Sequence, residues 1–432
     1  MYCGDDVEAV VGDVGTSRSK FGLAGEDTPT LVLPSAVGRQ PPLQPSADGP
    51  EAQQPRFVLG DLAHVRNADV LRPVHTGVVS DWDALEQLWG HAFARLRVDP
   101  AEHAVITAAA ACFASDALRD AAARDAEKYF ELMFDTFRVP AFYMAKDAVL
   151  DAFAFGRSAA LIAEIGAGST RVVPVFDGYH LQGPAQFSPV GCDQLSEHLA
   201  HVVASKYPSL EVRPRCCFTR KANAHGKLET LALSPPLLPA SYLQFMKAEV
   251  FRDMRECVCA VPVVPLTSEA AAAIGFPQQR YELPDGKSVV LDKEFYEVGE
   301  LLLHPPLRAD GAGGGSGEAA VKTVTKGLHQ MLYDAVQLCD ADLRRDMLSN
   351  IILCGGGSLT PGLTERLHAE LTAMVPSTFK VRFTSVMKVE RQFSAFIGGS
   401  ILASLGSFQQ LWVSRQEYDE VGAHALCAER FS

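Results

Sequence analysis

Ten cysteines are scattered over 432 residues without one CxxC spacing; the nearest approaches are the adjacent Cys216 and Cys217 and the pair Cys257 and Cys259. Structural zinc needs thiolates spaced to converge on a tetrahedron, so this pattern predicts buried free thiols and a reducing compartment. Two common nucleotide signatures are missing as well: no GxxxxGK[ST] occurs, and no GxGxxG follows a strand-like run. No apolar run approaches the roughly 18 residues of a bilayer span, and the Ala-rich stretch from Ala108 to Ala114 is too short and too broken. Met1 is followed by Asp5, Asp6 and Glu8, with neither a basic n-region nor an apolar h-region. These absences predict a soluble, intracellular protein without a secretory leader or membrane contact. Positive charge is also scarce, 39 Lys and Arg against 52 Asp and Glu for a net charge of -13. That balance disfavours direct DNA binding, because non-specific affinity for a phosphate backbone comes from clustered Lys and Arg that release counterions. No basic cluster marks nuclear import, so composition leaves nucleus against cytoplasm open.

What is present is apolar and punctuated by glycine. With 47% hydrophobic and 21% charged residues, wholesale disorder is excluded, and 432 residues exceed what one core usually serves. Two or more domains are expected. An internal repeat organises them. Val10-Val11-Gly12-Asp13-Val14-Gly15-Thr16-Ser17 runs from an apolar strand through an acid into a small-residue turn, then on through Lys20 and Phe21 to Gly25. The stretch from Ala160 through Glu164, Ile165, Gly166, Ala167, Gly168 and Ser169 does the same and returns from Val172 to Gly178. Each reads as a β-hairpin whose tip exposes backbone N–H groups, since Gly accepts φ > 0 and lets an anion approach closely. Either alone reads as an ordinary turn. As a pair they predict two tips that clamp a polyphosphate, with Asp13 and Glu164 at their bases to hold a hydrated Mg²⁺.

Two further glycine-rich elements follow. Asn350 to Gly362 reads as a buried strand, then the Gly355-Gly356-Gly357 turn, then an amphipathic helix from about Leu363; open α/β sheets place ligands at such turns. Ile397 to Leu405 carries Gly398 and Gly399 where a helix and a sheet must pack closely. The Gly-rich run from Gly311 to Gly317 lies between polar residues and reads as a flexible surface loop, not a phosphate loop.

These residues carry a family resemblance. Phe393-Ser394-Ala395-Phe396, the run Ile397 to Leu405, and Phe408-Gln409-Gln410-Leu411-Trp412-Val413-Ser414-Arg415-Gln416-Glu417-Tyr418 closely resemble the carboxyl-terminal signature of the actin superfamily. Gly77 to Asp83, Tyr281 to Gly286 and Cys339 to Arg344 resemble it in the same order. Within the superfamily, Ala145-Lys146-Asp147-Ala148-Val149-Leu150, Gly156-Arg157-Ser158 and Val389 to Ser394 look most similar to the actin-related protein 4 class. The implied fold is α/β: the actin fold, also that of Hsp70 and sugar kinases, with two lobes of duplicated ribonuclease-H-like domains around a nucleotide cleft. The first lobe would span 1–154 and 394–432 with a variable insert at 35–75, and the second 155–393 with an insert at 190–304.

The resemblance puts Gly15, Thr16, Ser17 and Lys20 on the phosphates of ATP or ADP, and Asp13 and Glu164 near Mg²⁺. It makes Gly166 and Gly168 the opposing clasp, puts Gly355, Gly356 and Gly357 on the adenosine side, and assigns Gly191, Arg255 and Glu256 to the nucleoside pocket. Departures bear on chemistry. Asp147 stands where actin has its water-orienting glutamine, Ala167 replaces the second clasp aspartate, Arg171 replaces a histidine, and Gln392 replaces the lysine that packs on adenine. Phosphoryl transfer is mostly positioning and electrostatics, so nucleotide binding with slow or absent hydrolysis is expected. An extra carboxylate at Asp147 is expected to repel a γ-phosphate unless protonated or metal-bound.

Filament contacts are also depleted. Arg39 to Pro45 and Gln53 to Pro55 are proline-rich where actin contacts its next protomer, and Arg308 to Gly315 has no large apolar tip to act as a plug. No self-assembly is expected. The class implies a nuclear, non-catalytic subunit of SWI/SNF- or INO80-type remodellers or of NuA4-type histone acetyltransferase complexes. Its expected partners are a helical scaffold segment of the remodelling ATPase or acetyltransferase, actin, and basic histone tails as a lesser candidate, because an acidic excess of this size reads first as solubility. The alternative is a cytoskeletal actin-like protein with ATP-dependent assembly.

Overall fold

The computed structural model describes residues 8–41, 55–222, 228–233, 238–266, 276–305 and 326–430. Its first sheet begins with β1 (Val10–Val14) and β2 (Arg18–Leu23), an antiparallel hairpin, with β3 (Leu31–Pro34) beyond β2. On the other side of β1 lie β4 (Val105–Ala109) and β5 (Ala141–Lys146), both parallel, and then the short Val413–Ser414 strand. Val10, Val11, Val105 and Ile106 are buried because the central strands are covered on both faces.

The second sheet repeats the plan. β6 (Ala159–Ile165) and β7 (Thr170–Phe176) form its hairpin; β8 (Tyr179–His180) and β9 (Gln186–Ser188) pair with β7, and β10 (Ile351–Cys354) runs parallel to β6. The strand, turn and helix expected between Asn350 and Leu363 are therefore present, the helix spanning Leu363–Met374.

Helices cover both sheets. α1 (Trp82–Leu96) lays Leu85, Leu88, Trp89 and Ala92 on the first sheet, positions spaced to fall on one face. Gly12 is what admits Trp89, since a Cβ there would lie 2.2 Å from its ring. α2 (Asp116–Glu131) is capped by Ser115 and packs Tyr129 and Phe130 into the same core. α3 (Asp147–Ala154) leaves the first sheet and leads into the second. α4 (Cys192–Lys206), α5 (Ala240–Val258) and α6 (Leu328–Leu338) enclose the larger core of the second lobe. α7 (Lys388–Ser404) returns across α3, broken at Phe393 where φ is -118° and ψ 18°. The crossing is intimate: a Cβ on Gly398 would lie 1.8 Å from the Leu150 carbonyl oxygen.

The segments expected as inserts, 35–75 and 190–304, hold smaller elements. The first is a three-stranded sheet of Val37–Gln40, Arg56–Val58 and Asp69–Leu71; the second is built around α4 and α5 with the hairpin Phe218–Ala222 and Leu228–Ala232. The plug segment at 308–315, the loop at 311–317 and most of the proline-rich stretches lie outside the described residues. Among the described residues no helix is long and apolar enough to cross a membrane.

Candidate functional site

The two hairpins have the same tip. Gly15 N–H donates to the Arg18 carbonyl at 3.2 Å, and Gly166 N–H to the Ser169 carbonyl at 3.0 Å. The tips meet: a Cβ on Gly168 would lie 3.0 Å from Thr16 Oγ1. Behind them opens a cavity of about 1090 Å³, lined on one side by Gly15, Thr16, Ser17 and Lys20 and on the other by Gly166, Gly168 and the Gly355 to Gly357 turn. A cavity of this size with convergent polar groups suits a mononucleotide.

The Gly355 turn enters the left-handed region, φ 79°, and its amide donates to the Arg391 carbonyl of α7 at 2.9 Å. Gly356 faces open space, whereas a Cβ on Gly357 would meet Ile165 at 2.3 Å, so the turn lies flat on the second hairpin. Gly191 does not line the cavity. It sits behind the clasp, where a Cβ would lie 2.4 Å from the Ala167 carbonyl oxygen, and this lets Cys192 and Asp193 at the start of α4 donate to the Gly166 and Ala167 carbonyls, each at 2.9 Å. Arg255 lines the wall, buried, donating to Ser196 Oγ at 3.2 Å and pairing with Glu256 at 3.2 Å; Glu256 is at the exposed rim.

The carboxylates at the cavity base are paired. Lys20 Nζ donates to Asp13 at 2.6 Å. Arg171 reaches Asp147 with one terminal nitrogen at 2.6 Å and Glu164 with the other at 2.9 Å. Asp147 also accepts from the Ala111 amide at 3.0 Å and from Ala148 at the start of α3 at 2.7 Å. Asp147, expected to repel a γ-phosphate, is thus bridged to Glu164 by Arg171, the residue that stands where actin has a histidine. Burial pushes the Glu164 carboxyl up to about 7, opposed by Arg171 and reinforced by Asp147 and Asp13. Burial alone would lower the Arg171 pKa; Asp147 and Glu164 reverse this and raise it. Beneath them Asp151 is 2% exposed with Oδ1 unbonded, and burial raises its pKa well above the usual range. Among the described residues no three His, Cys, Asp or Glu side chains converge as metal ligands. Asp13 and Glu164 each hold a protein cation through one carboxylate oxygen, an arrangement compatible with the waters of a hydrated ion meeting the other oxygen.

Two cavity residues escaped the motif reading. Arg18 faces the cavity from β2, its pKa lowered by burial and by Arg252 of α5. The alternation of a strand places Arg18 on the Lys20 face, which is the signal that finds it. The second is Asp193, paired with Arg72 of the opposite insert at 3.0 Å. The same two segments meet again: Ser241 Oγ donates to Asp69 at 2.9 Å and accepts from Val70 N–H at 3.3 Å, and buried Tyr242 donates its hydroxyl to the Ala63 carbonyl at 3.0 Å.

Comparison with known proteins agrees with this architecture. The family model described as Actin matches residues 4–432. The chain is 36% identical to actin-related protein 4 of Arabidopsis thaliana, over 98% of each chain, and 36% identical to actin-related protein 4 of Oryza sativa subsp. japonica, again over 98% of each. Actin-related protein 4 of Yarrowia lipolytica is 31% identical over 100% of this chain and 97% of its own. With mirrored hairpins around one cleft and a family match that runs nearly end to end, this chain belongs to the actin family.

Proposed function

We propose that this chain is a nuclear, non-catalytic structural subunit of a SWI/SNF- or INO80-type remodeller or of a NuA4-type acetyltransferase complex, in which a nucleotide-closed clamp serves as a docking shape. Its ligand is an adenine nucleotide, ATP or ADP, for whose phosphates Mg²⁺ is the usual companion. The lobes divide near residues 154 and 394, and the phosphates lie between the Gly15 and Gly166 turns, with the nucleoside toward Arg255, Glu256 and Gly356. Partners are a helical scaffold segment and actin; filament formation is absent.

The observation that carries this reading is the Arg171–Asp147 ion pair beside two intact anion-receiving turns. Water attack on a γ-phosphate needs a side chain free to orient that water, and here the position is an acid held at 2.6 Å by a guanidinium. Binding geometry persists while the hydrolytic group is spent on an internal bond. The relatives named actin-related protein 4 support the class.

The test is to tag the chain in its own cells, purify it from nuclear and cytoplasmic fractions, and identify stoichiometric partners by mass spectrometry. Recovery with a remodelling ATPase or acetyltransferase scaffold supports the reading. Cytoplasmic recovery with itself or with actin-binding proteins, together with sedimentation in ATP and phosphate release at actin's rate, would replace it with the cytoskeletal alternative.

A further inference from the structure

The first hairpin sends two cations to the cavity from one face of β2. Lys20 is committed to Asp13 at 2.6 Å. Arg18 comes directly after the Gly15 to Ser17 turn, is half-buried and lines the cavity, yet forms no hydrogen bond or ion pair among the described residues.

The charges around it explain why it stays free. Arg252 and Glu249 of α5 pair with each other, and Arg255 pairs with Glu256 at 3.2 Å. Three guanidinium groups thus face two carboxylates, each already held by its own arginine, and Arg18 is the surplus positive charge. Burial and the nearby Arg252 both lower its pKa, although an arginine stays charged. A half-buried cation beside a like charge disfavours the folded state, and no bond among the described residues offsets it. An anion entering the cavity reverses that balance. The turn that precedes Arg18 offers backbone amides to such an anion, and the planar fork of an arginine matches two oxygens of one phosphate.

We propose that Arg18 is a phosphate-binding residue of this cleft, its guanidinium adding to the Gly15 to Ser17 turn a positive charge not already bound to a carboxylate. This deepens the nucleotide reading above and rests on it. Lys20 and Arg171 stay on their own carboxylates at the base, and Arg18 meets the phosphates from the side of α5. A residue kept for a ligand at the expense of the empty fold has a signature that a structural arginine lacks: its removal weakens the ligand without weakening the nucleotide-free protein.

The experiment is calorimetric titration of ADP into the full-length chain stripped of nucleotide, for wild type, Arg18→Met and Arg18→Lys. Adenosine is measured by its competition against ADP, and the nucleotide-free proteins are melted in parallel. Arg18→Met is expected to weaken ADP by about tenfold, to leave adenosine within about twofold, and to melt no lower than wild type when empty. Arg18→Lys, which keeps the charge and loses the fork, is expected to recover part of the ADP affinity. A loss of ADP affinity below about threefold in Arg18→Met overturns the inference and leaves the nucleotide reading standing. An equal loss for adenosine overturns the phosphate contact, and a lower melting temperature of the empty variant makes Arg18 a structural residue. Absence of ADP binding by wild type overturns the nucleotide reading and this inference with it.

Discussion

If the inserts close the cleft by direct contact, loosening those contacts must speed release of the ligand. Three links join the two segments: the Tyr242 hydroxyl on the Ala63 carbonyl at 3.0 Å, the Ser241 hydroxyl between Asp69 and Val70, and the Arg72–Asp193 pair. Tyr242 is fully buried, so Tyr242→Phe leaves the Ala63 carbonyl without its donor and costs about 1 kcal/mol. Ser241→Ala removes a donor and an acceptor at a more exposed site and costs about 0.5–1 kcal/mol. The Arg72 and Asp193 side chains are 37% and 26% exposed, which limits their pair to about 0.5 kcal/mol. The three sites touch one assembly and do not add strictly, so their combined loss is about 2 kcal/mol, or roughly 30-fold in the opening equilibrium. The assay is dissociation of a fluorescent adenine nucleotide chased by unlabelled ATP in a stopped-flow instrument. The triple variant is expected to release it about 10- to 30-fold faster, and Tyr242→Phe alone about fivefold faster. Release within twofold of wild type would refute the closed mouth as the barrier.

Glu164→Gln separates the titration of that carboxyl from the rest of the cleft. Because its folded pKa is raised from 4.5 to about 7, the wild type loses stability as pH rises through that window, by up to about 3 kcal/mol. A quarter of the side chain faces the cavity and solvent screens part of this, so urea titrations should show the variant gaining about 1–2 kcal/mol on wild type between pH 5 and pH 8. Arg366 is buried between Glu300 at 2.9 Å and Glu370 at 2.7 Å, and Arg366→Met, which strands both acids, should cost about 3 kcal/mol by denaturant unfolding. Gly398→Ala forces a Cβ to 1.8 Å from the Leu150 carbonyl oxygen, so the α3–α7 crossing must separate and the melting temperature must fall, while Gly406→Ala, with nothing within 4 Å, leaves it unchanged.

The parts of the fold readable in sequence are those where local chemistry is tight. The hairpins could be read because strand, acid and glycine turn recur within a few residues, and the Gly355 turn because a buried strand must end there. Gly398 signalled close packing for the same reason. The ion pairs were less legible, because they depend on distance in space. Arg171 lies 24 residues from Asp147, and their meeting depends on where α3 begins against β7. Arg72 lies 121 residues from Asp193, in a different insert. Gly191 illustrates a subtler gap: sequence pattern marks a glycine that is needed, yet whether it admits a ligand or a neighbouring backbone depends on the docking of α4. Asp147 is the residue least legible from its own position, since the arginine that bridges it to Glu164 arrives from another strand.

That shift changes what a lost catalytic group implies. Removing a glutamine that orients water could be done with an alanine, which would leave an open cleft and a cavity free to fill with water. Here the replacement is a charge that accepts two backbone amides and a guanidinium: the Ala148 amide within α3, the Ala111 amide after β4 and Arg171 of β7. The last two join the first and second sheets to the start of the connecting helix. A site rebuilt for rigidity at its catalytic position favours one shape over a cycle of shapes, because an equilibrium between open and closed states shifts by the free energy of the contacts made in only one of them. On the proposed function, a bound nucleotide is a further contact of the closed state, retained and not turned over.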